Sequence, residues 1–195
     1  LYVGFVYMLS KLFDNHNIYL YLTSFVHYII YISTYHHRKD INFGDFKRDA
    51  LFYKTLALIN IIFILKKYIK PNKNGKNNLP ILLIIFGLLL TLYSSYKLGL
   101  DHTYFGYELG KVKAKWVTGF PYGTIPHPMI VGQLIAFIGI LLIKGVAKDY
   151  KYYFGLHILF YIFHMVQEEL YFRNENLNDK INNKNENKII NNEKK

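Results

Sequence analysis

Glu168 and Glu169 stand side by side near the end of a long apolar run, and His157, His164 and Glu168 follow one another at spacings of seven and four. At about 100° per residue these three fall in one narrow stripe of a helix, with Tyr161 between them. Ionisable groups in an apolar helix are costly and face an interior or a wet cavity, so the stripe is a candidate functional surface. Two acids at a helix C-terminus also oppose the macrodipole, which implies a cationic partner nearby. A solvated helix end is the competing reading, and spacing alone does not choose between them. A second group lies upstream, from Leu98 to Gly132, in LGLDHTYFGYELGKVKAKWVTGFPYGTIPHPMIVG. Gly99, Gly106 and Gly110 permit tight turns or close backbone approach to a ligand, turns being the commoner use. Pro121, Gly123, Pro126 and Pro128 imply a rigid, extended path that holds His127 at the mouth of the next helix. A helix N-terminus there favours an anion. Trp116 can offer a ring face to a sulfonium or ammonium cation, although a lone Trp beside a membrane helix is more often an interface anchor. Lys111, Lys113 and Lys115 suit lipid phosphate or simple topology signalling. His127, His157 and His164 are metal-binding types, but their spacing matches no ligand signature, and no metal site is expected.

The elements that must position these residues are apolar. The chain of 195 residues is 52% hydrophobic and 18% aromatic, with no cysteine, which excludes disulfides, thiolate metal sites and a cysteine nucleophile. Its formal net charge of +11 comes in short Lys/Arg clusters between apolar runs. That is how a multispanning protein carries charge, so anionic lipid is the expected partner and nucleic acid is not. Leu1 to Phe13, broken by Lys11, is too short for the ~20 residues of a span. It reads as the end of a truncated helix or an interfacial segment. The chain begins at Leu1 rather than Met, so a missing or processed start is expected. After a turn at Asp14 to Asn17, the expected spanning helices are Ile18 to Tyr35, Ala50 to Ile69, Leu79 to Tyr96, Met129 to Ile143 and Tyr152 to about Phe172. His36 to Asp40 ends the first, and Asn42 to Asp45 reads as a turn. Lys54 then lies near one end of the second, where a long side chain can snorkel. Pro71 to Asn78 is a polar loop, and Lys148 to Lys151 is a charged break before the last helix. Gly132 and Gly139 lie near one face and suit close helix packing.

The expected fold is an all-α integral membrane bundle of about four to five transmembrane helices with an interfacial pocket. Residues 1–173 form one domain, and the Asn/Lys-rich residues 174–195 are expected to be disordered. The balance of basic residues puts the Leu98 to Gly132 stretch and the tail on the cytosolic side by a small margin. Connectivity adds a second constraint. The last two helices form a hairpin, so His127 and Glu168 lie on the same membrane face.

Three pieces, in order, carry a family resemblance: Thr103 to Gly110 (TYFGYELG), then Val117 to Tyr122 (VTGFPY) with His127 to Gly132 (HPMIVG), then Glu168-Glu169. The set resembles the membrane phospholipid N-methyltransferases, particularly the small phosphatidylethanolamine N-methyltransferase type. Tyr35 to Lys39 (YHHRK) adds a fainter likeness, so the resemblance runs from the first helix to Arg173. It implies S-adenosylmethionine as cofactor, bound through Gly99, Gly106, Gly110, Glu168 and Glu169. Ile130 stands where the family commonly has an aromatic residue, and Pro126 where related membrane methyltransferases have Arg. The isoprenylcysteine carboxyl methyltransferases share the His-Pro and Glu-Glu elements, so the acceptor is less sharply implied than the cofactor.

The reaction so implied is attack of a lipid amine on the methyl of a sulfonium. The amine must be neutral, yet a primary amine has a reference pKa near ~10. A base within hydrogen-bond reach is therefore expected, and His127 and Glu108 are the candidates. The expected product line leads from phosphatidylethanolamine, or its mono- and dimethyl forms, to phosphatidylcholine. For a eukaryotic source the resemblance implies the endoplasmic reticulum membrane. Three other readings stay open: an isoprenylcysteine carboxylate acceptor, a nicotinamide-dependent sterol-type reductase, and a non-catalytic membrane scaffold.

Overall fold

The computed structural model describes residues 18–36, 41–69, 78–107, 109–113 and 115–193, with side chains described at all of these except 18, 19, 22, 35, 36 and 171–193. The sequence readings at Leu1 to Asn17, His37 to Asp40, Lys70 to Asn77 and Glu108 fall outside the described residues. Every regular element described is helical: α1 Ile18–His36, α2 Phe43–Tyr68, α3 Leu79–Leu98, the single turn α4 Leu100–Thr103, α5 Pro128–Leu141 and α6 Val146–Glu193.

Four boundaries differ from the sequence reading. α2 begins at Phe43, not Ala50, because Asn42 is an N-cap rather than part of a free turn. Its side-chain oxygen accepts from the backbone N–H groups of Gly44 at 2.9 Å and Asp45 at 3.4 Å, satisfying donors that a first turn leaves unpaired. Lys54 is thereby moved from the helix end into its interior. α5 stops at Leu141, and the chain turns at Gly145, whose φ of +94° suits glycine. α6 then starts at Val146, and the break expected at Lys148 to Lys151 is a kink at Tyr150, whose torsions of φ −132° and ψ 16° are non-helical. Finally, the α6 backbone stays helical to Glu193. Residues 119–127 also depart from the extended path that their prolines suggested. They wind through tight turns, with Thr124 N and Ile125 N both donating to Pro121 O at 3.1 and 2.8 Å.

The helices associate as two pairs bridged by α6. α3 and α5 run antiparallel at backbone-close range. A methyl group added at Gly132 would lie 2.6 Å from Gly87 O, and one added at Gly139 would lie 2.8 Å from Pro80 O. Thr91 strengthens the seam, its hydroxyl lying 3.0 Å from Gly87 O and 3.1 Å from Met129 O. Such small-residue contacts suit helices that gain little from hydrophobic exclusion against one another. α1 packs on α2 and α6 through an aromatic core of Tyr21, Phe25, Tyr28, Tyr153 and Phe154. Polar bonds fix its register: Tyr153 Oη donates to Ser24 Oγ at 2.6 Å, and Asn60 Nδ2 to Ser24 Oγ at 2.9 Å.

Among the described residues α3, with 20 residues, is long and apolar enough to cross a bilayer, and α5 is apolar but only 14 residues long. Large apolar side chains on α2, α3 and α6 point outward, Phe63, Leu82, Leu92 and Leu159 all being at least 60% exposed.

Gly132→Leu should lower stability by about 1–3 kcal/mol by forcing bulk into the α3–α5 seam. Gly155→Ala should be neutral or slightly stabilising, because Gly155 is mid-helix and meets nothing within 4 Å. Thermal unfolding of both variants in detergent checks this, and equal losses would contradict the seam.

Candidate active site

The two helix pairs and α6 enclose a cavity of about 570 Å³. Such a volume lies within the ~300–1,000 Å³ of small-ligand sites. Its wall comes from every major helix: Tyr28 and Tyr31 of α1, Lys54 of α2, Thr91 and Ser95 of α3, Gln133 of α5, and Tyr161, His164 and Glu168 of α6. The segment between α4 and α5 adds Tyr107, Lys115, Trp116, Tyr122 and His127.

At the cavity's edge His127 meets the glutamate pair. Its Nδ1 lies 3.0 Å from Glu168 Oε2 and its Nε2 3.3 Å from Glu169 Oε2. His164 approaches the other oxygen, with Nε2 3.5 Å from Glu168 Oε1, an ion-pair distance rather than a good hydrogen bond. The hairpin of α5 and α6 does bring His127 and Glu168 to one face. The cationic partner expected for the two acids is His127, but the premise was incomplete. α6 continues beyond Glu169, so it is the acids' proximity to each other and to His127, not a helix end, that sets their electrostatics.

His127 caps α5 with φ 45° and ψ 53°, a left-handed conformation, and its side chain makes no capping bond. A non-glycine residue held there costs on the order of 1–3 kcal/mol and persists only where the surroundings enforce it. Here the ring is turned onto the carboxylates. With an anion at each nitrogen the imidazolium is favoured. The Glu168 hydrogen bond raises the His127 pKa above its ordinary value, partial burial opposes this, and the charges of both glutamates add to the rise.

Tyr122 fastens the turns before α5 onto α3, its hydroxyl donating to Ser94 O at 3.1 Å. Burial, then the Glu168 charge, pushes its pKa up to about 12, so it remains a donor. Lys115 caps α3 instead of reaching outward, with Nζ 2.7 Å from Lys97 O and 3.0 Å from Leu98 O. That is favourable at the negative end of a helix dipole. Trp116 lines the cavity while 89% exposed.

The three glycines shape the loop and do not line the cavity. Gly99 ends α3 at φ +95° and Gly110 turns at φ +66°. Gly106 donates to Asp101 O at 2.8 Å, and a methyl there would crowd that carbonyl. Of the two proposed bases, His127 borders the cavity and Glu108 lies outside the described residues. His157 is structural. Tyr28 Oη lies 2.9 Å from its Nδ1, and its ring packs 4.5 Å from that of Phe25. The sequence reading missed Lys54, Tyr31, Tyr122 and Gln133 as cavity residues. Only Lys54 carried a usable signal, a lone charge within an apolar run.

Residues 76–175 match the family described as phospholipid methyltransferase, just over half of the chain. Phosphatidyl-N-methylethanolamine N-methyltransferase of Saccharomyces cerevisiae is 41% identical over 73 residues, 36% of this chain and 35% of that protein. The protein of the same name from Emericella nidulans is 40% identical over 63 residues, 32% of this chain and 31% of that one. Phosphatidylethanolamine N-methyltransferase A of Dictyostelium discoideum is 35% identical over 78 residues, 40% of this chain and 34% of that one. The chain thus spans about a third of the length of the curated relatives it matches. No solved structure matches.

The His127 clamp has a signed pH dependence. A histidine whose folded-state pKa is raised stabilises fully below its unfolded value of ~6.5, and the gain is lost as pH rises through the raised value. Wild type should therefore melt roughly 2–4 °C above His127→Gln near pH ~5.5, on a scale of ~1 kcal/mol, and the gap should close toward pH ~9. Paired melting curves across that range check it, and a gap that widens with pH contradicts it.

Proposed function

Because this chain belongs to the phospholipid methyltransferase family, we propose that its cavity serves methyl transfer from S-adenosylmethionine to the amine of phosphatidylethanolamine or its mono- and dimethyl derivatives, toward phosphatidylcholine. The observation that carries this reading is Glu168. Its carboxylate borders a ligand-sized cavity, beside His127 and His164 and among the rings of Tyr122 and Tyr161.

These residues fit such a methyl donor. Glu168, with Glu169 at the rim, would receive its ammonium, and the ring faces of Tyr161, Tyr122 and Trp116 suit a sulfonium. When bound, the donor supplies a methyl group on a positively charged sulfur. Gly99, Gly106 and Gly110 act through the loop they shape, giving it the tight turns that bring Tyr107, Lys115 and Trp116 to the cavity. His127 holds a proton while both its nitrogens face carboxylates. A cationic ligand at Glu168 competes with the imidazolium for the same oxygens and returns His127 toward the neutral form. Neutral His127 can then take the proton of the acceptor amine. Glu108, next to the cavity residue Tyr107, is the second candidate for that role. The enclosing wall holds the reactants in line and limits water, and such positioning can supply much of the acceleration.

The reading places the protein in a membrane. α1, α2, α3, α5 and the apolar part of α6 would form a bundle of four to five spans, with the outward apolar side chains of α2, α3 and α6 against lipid. The cavity would sit at the interface, open to a water-soluble donor and a bilayer-held acceptor. Residues 1–173 are proposed as the methyltransferase domain and 174–195 as a polar tail outside it. In a eukaryotic cell the endoplasmic reticulum is the proposed site.

Purified protein in liposomes should transfer labelled methyl from S-adenosylmethionine to one or more of the three amine lipids. Phosphatidyl-N-methylethanolamine is the first to assay, given the names of the relatives. Glu168→Gln should weaken donor binding by at least ~tenfold, the scale of one charge-assisted hydrogen bond. Glu169→Gln should cost less, since its side chain is 77% exposed. Transfer to none of the three lipids, with donor binding intact, would redirect the assignment to another acceptor, isoprenylcysteine first.

A further inference from the structure

The family match begins at residue 76, so α1 and α2 lie outside it, yet they build one wall of the cavity. That wall holds an unexplained charge. Lys54 sits eleven residues into α2, about 16 Å along the axis from Phe43 at ~1.5 Å per residue. The charged first turns of α2 end at Asp49, five residues before it, yet its side chain lines the cavity, and an ionisable group so placed in an apolar bundle marks a functional position by default. No carboxylate lies within ion-pair distance of it among the described residues. Its ammonium instead faces the ring of Tyr104, 5.9 Å from the centroid. His27 of α1 and His164 of α6 line the same cavity and offer no negative charge to neutralise it. The other lysine on the cavity, Lys115, is engaged by two backbone carbonyls.

The cavity therefore has two poles. Glu168, 3.5 Å from His164, supplies the negative one and Lys54 the positive one. We propose that Lys54 is a specificity-determining residue that binds the phosphodiester anion of the lipid acceptor, so that the cavity selects amine lipids carrying a phosphate. This rests on the proposed phospholipid acceptor. A phosphodiester fits better than the donor's carboxylate for two reasons. The cation comes from α2, outside the stretch shared with the family, whereas the glutamates lie within that stretch. It also projects from a helix whose outer face carries Phe52, Ile62 and Phe63, which are 55–68% exposed, so its pole adjoins the bilayer side.

The test measures binding, which does not depend on turnover. Full-length protein in detergent micelles is titrated with short-chain phosphatidyl-N-methylethanolamine and with a single-chain N-methyl alkylamine that lacks phosphate. Wild type should prefer the phospholipid. Lys54→Gln should lose at least ~tenfold in affinity for the phospholipid and little for the alkylamine, while Lys54→Arg keeps the preference. Inorganic phosphate should compete weakly with the phospholipid in wild type and not in Lys54→Gln. If inorganic phosphate instead binds as tightly as the lipid, the site is for free phosphate and the proposal fails. It fails equally if Lys54→Gln loses both ligands alike, loses neither, or loses S-adenosylmethionine instead. Should Lys54→Gln not fold, the wild-type preference and the phosphate competition still decide: no preference and no competition overturn the proposal. Absent methyl transfer with the phosphate-dependent preference intact would sink the methyltransferase reading and leave the anion anchor standing.

Discussion

α3 and α5 approach closely enough for one backbone to touch the other, and the cavity's form follows from that contact. In the membrane setting proposed for these apolar helices, hydrophobic exclusion would give little net attraction, and shape would have to supply it. Gly87, Gly132 and Gly139 remove the side chains that would hold the axes apart. The antiparallel seam sets the C-terminal end of α3 beside the N-terminal end of α5. The connecting segment must fold back over that junction. Tyr122 and Lys115 then tie it to the carbonyls of Ser94, Lys97 and Leu98, the last two of which otherwise have no helical partner at the C-terminus. A wider seam would separate the chain's two largest groups of cavity residues.

A second consequence is electrostatic. Once α5 is fixed, the turn at Gly145 sends α6 back along it, and Glu168 and Glu169 arrive opposite His127. Two adjacent carboxylates repel each other, and a histidine held in a strained left-handed conformation meets both. The strain and the ion contacts belong together. The backbone at residue 127 can be kept at positive φ because Pro128 disfavours the right-handed alternative for the residue before it and because the ring is retained by the acids. The resulting cluster is stable and replaceable at once, since any cation that binds Glu168 competes with the imidazolium.

The sequence made the helical class, the α3 and α5 cores and the His127–Glu168 meeting legible, for different reasons. Long aliphatic runs identify apolar helices with few alternatives. The meeting follows from connectivity alone, because a hairpin returns its end to the level of its start. Boundaries were less legible. Asn42 looked like part of a turn, and only its bonds to Gly44 and Asp45 reveal a cap. The charges from Lys148 to Lys151 do mark a break, a kink at Tyr150, but the reversal of the chain comes earlier, at Gly145, where positive φ is required. That first error hid Lys54. Placed near a helix end it was a residue free to reach the interface; placed in the helix interior it faces the cavity. The path of residues 119–127 was misjudged because prolines fix single torsions, while Gly123 and the Pro121 carbonyl decide the turn. Composition also says nothing about which glycines touch a ligand and which touch the chain itself, as Gly106 does.

The two poles of the cavity bear on one chemical difficulty. An amine tethered close to a phosphodiester is held protonated by that anion, and a protonated amine cannot attack. A nearby cation that pairs with the phosphate weakens this pull and favours the neutral amine. On the proposed reading, Lys54 and a proton-accepting His127 would act on the same barrier, one by cancelling charge and the other by removing the proton. The division also matches the chain's layout. The stretch shared with the family supplies the glutamates, the loop and His127, the groups proposed to hold the methyl donor. The helices outside that stretch supply Lys54, Tyr28 and Tyr31, where, under the same proposal, a choice among acceptors could be varied without disturbing the donor's half.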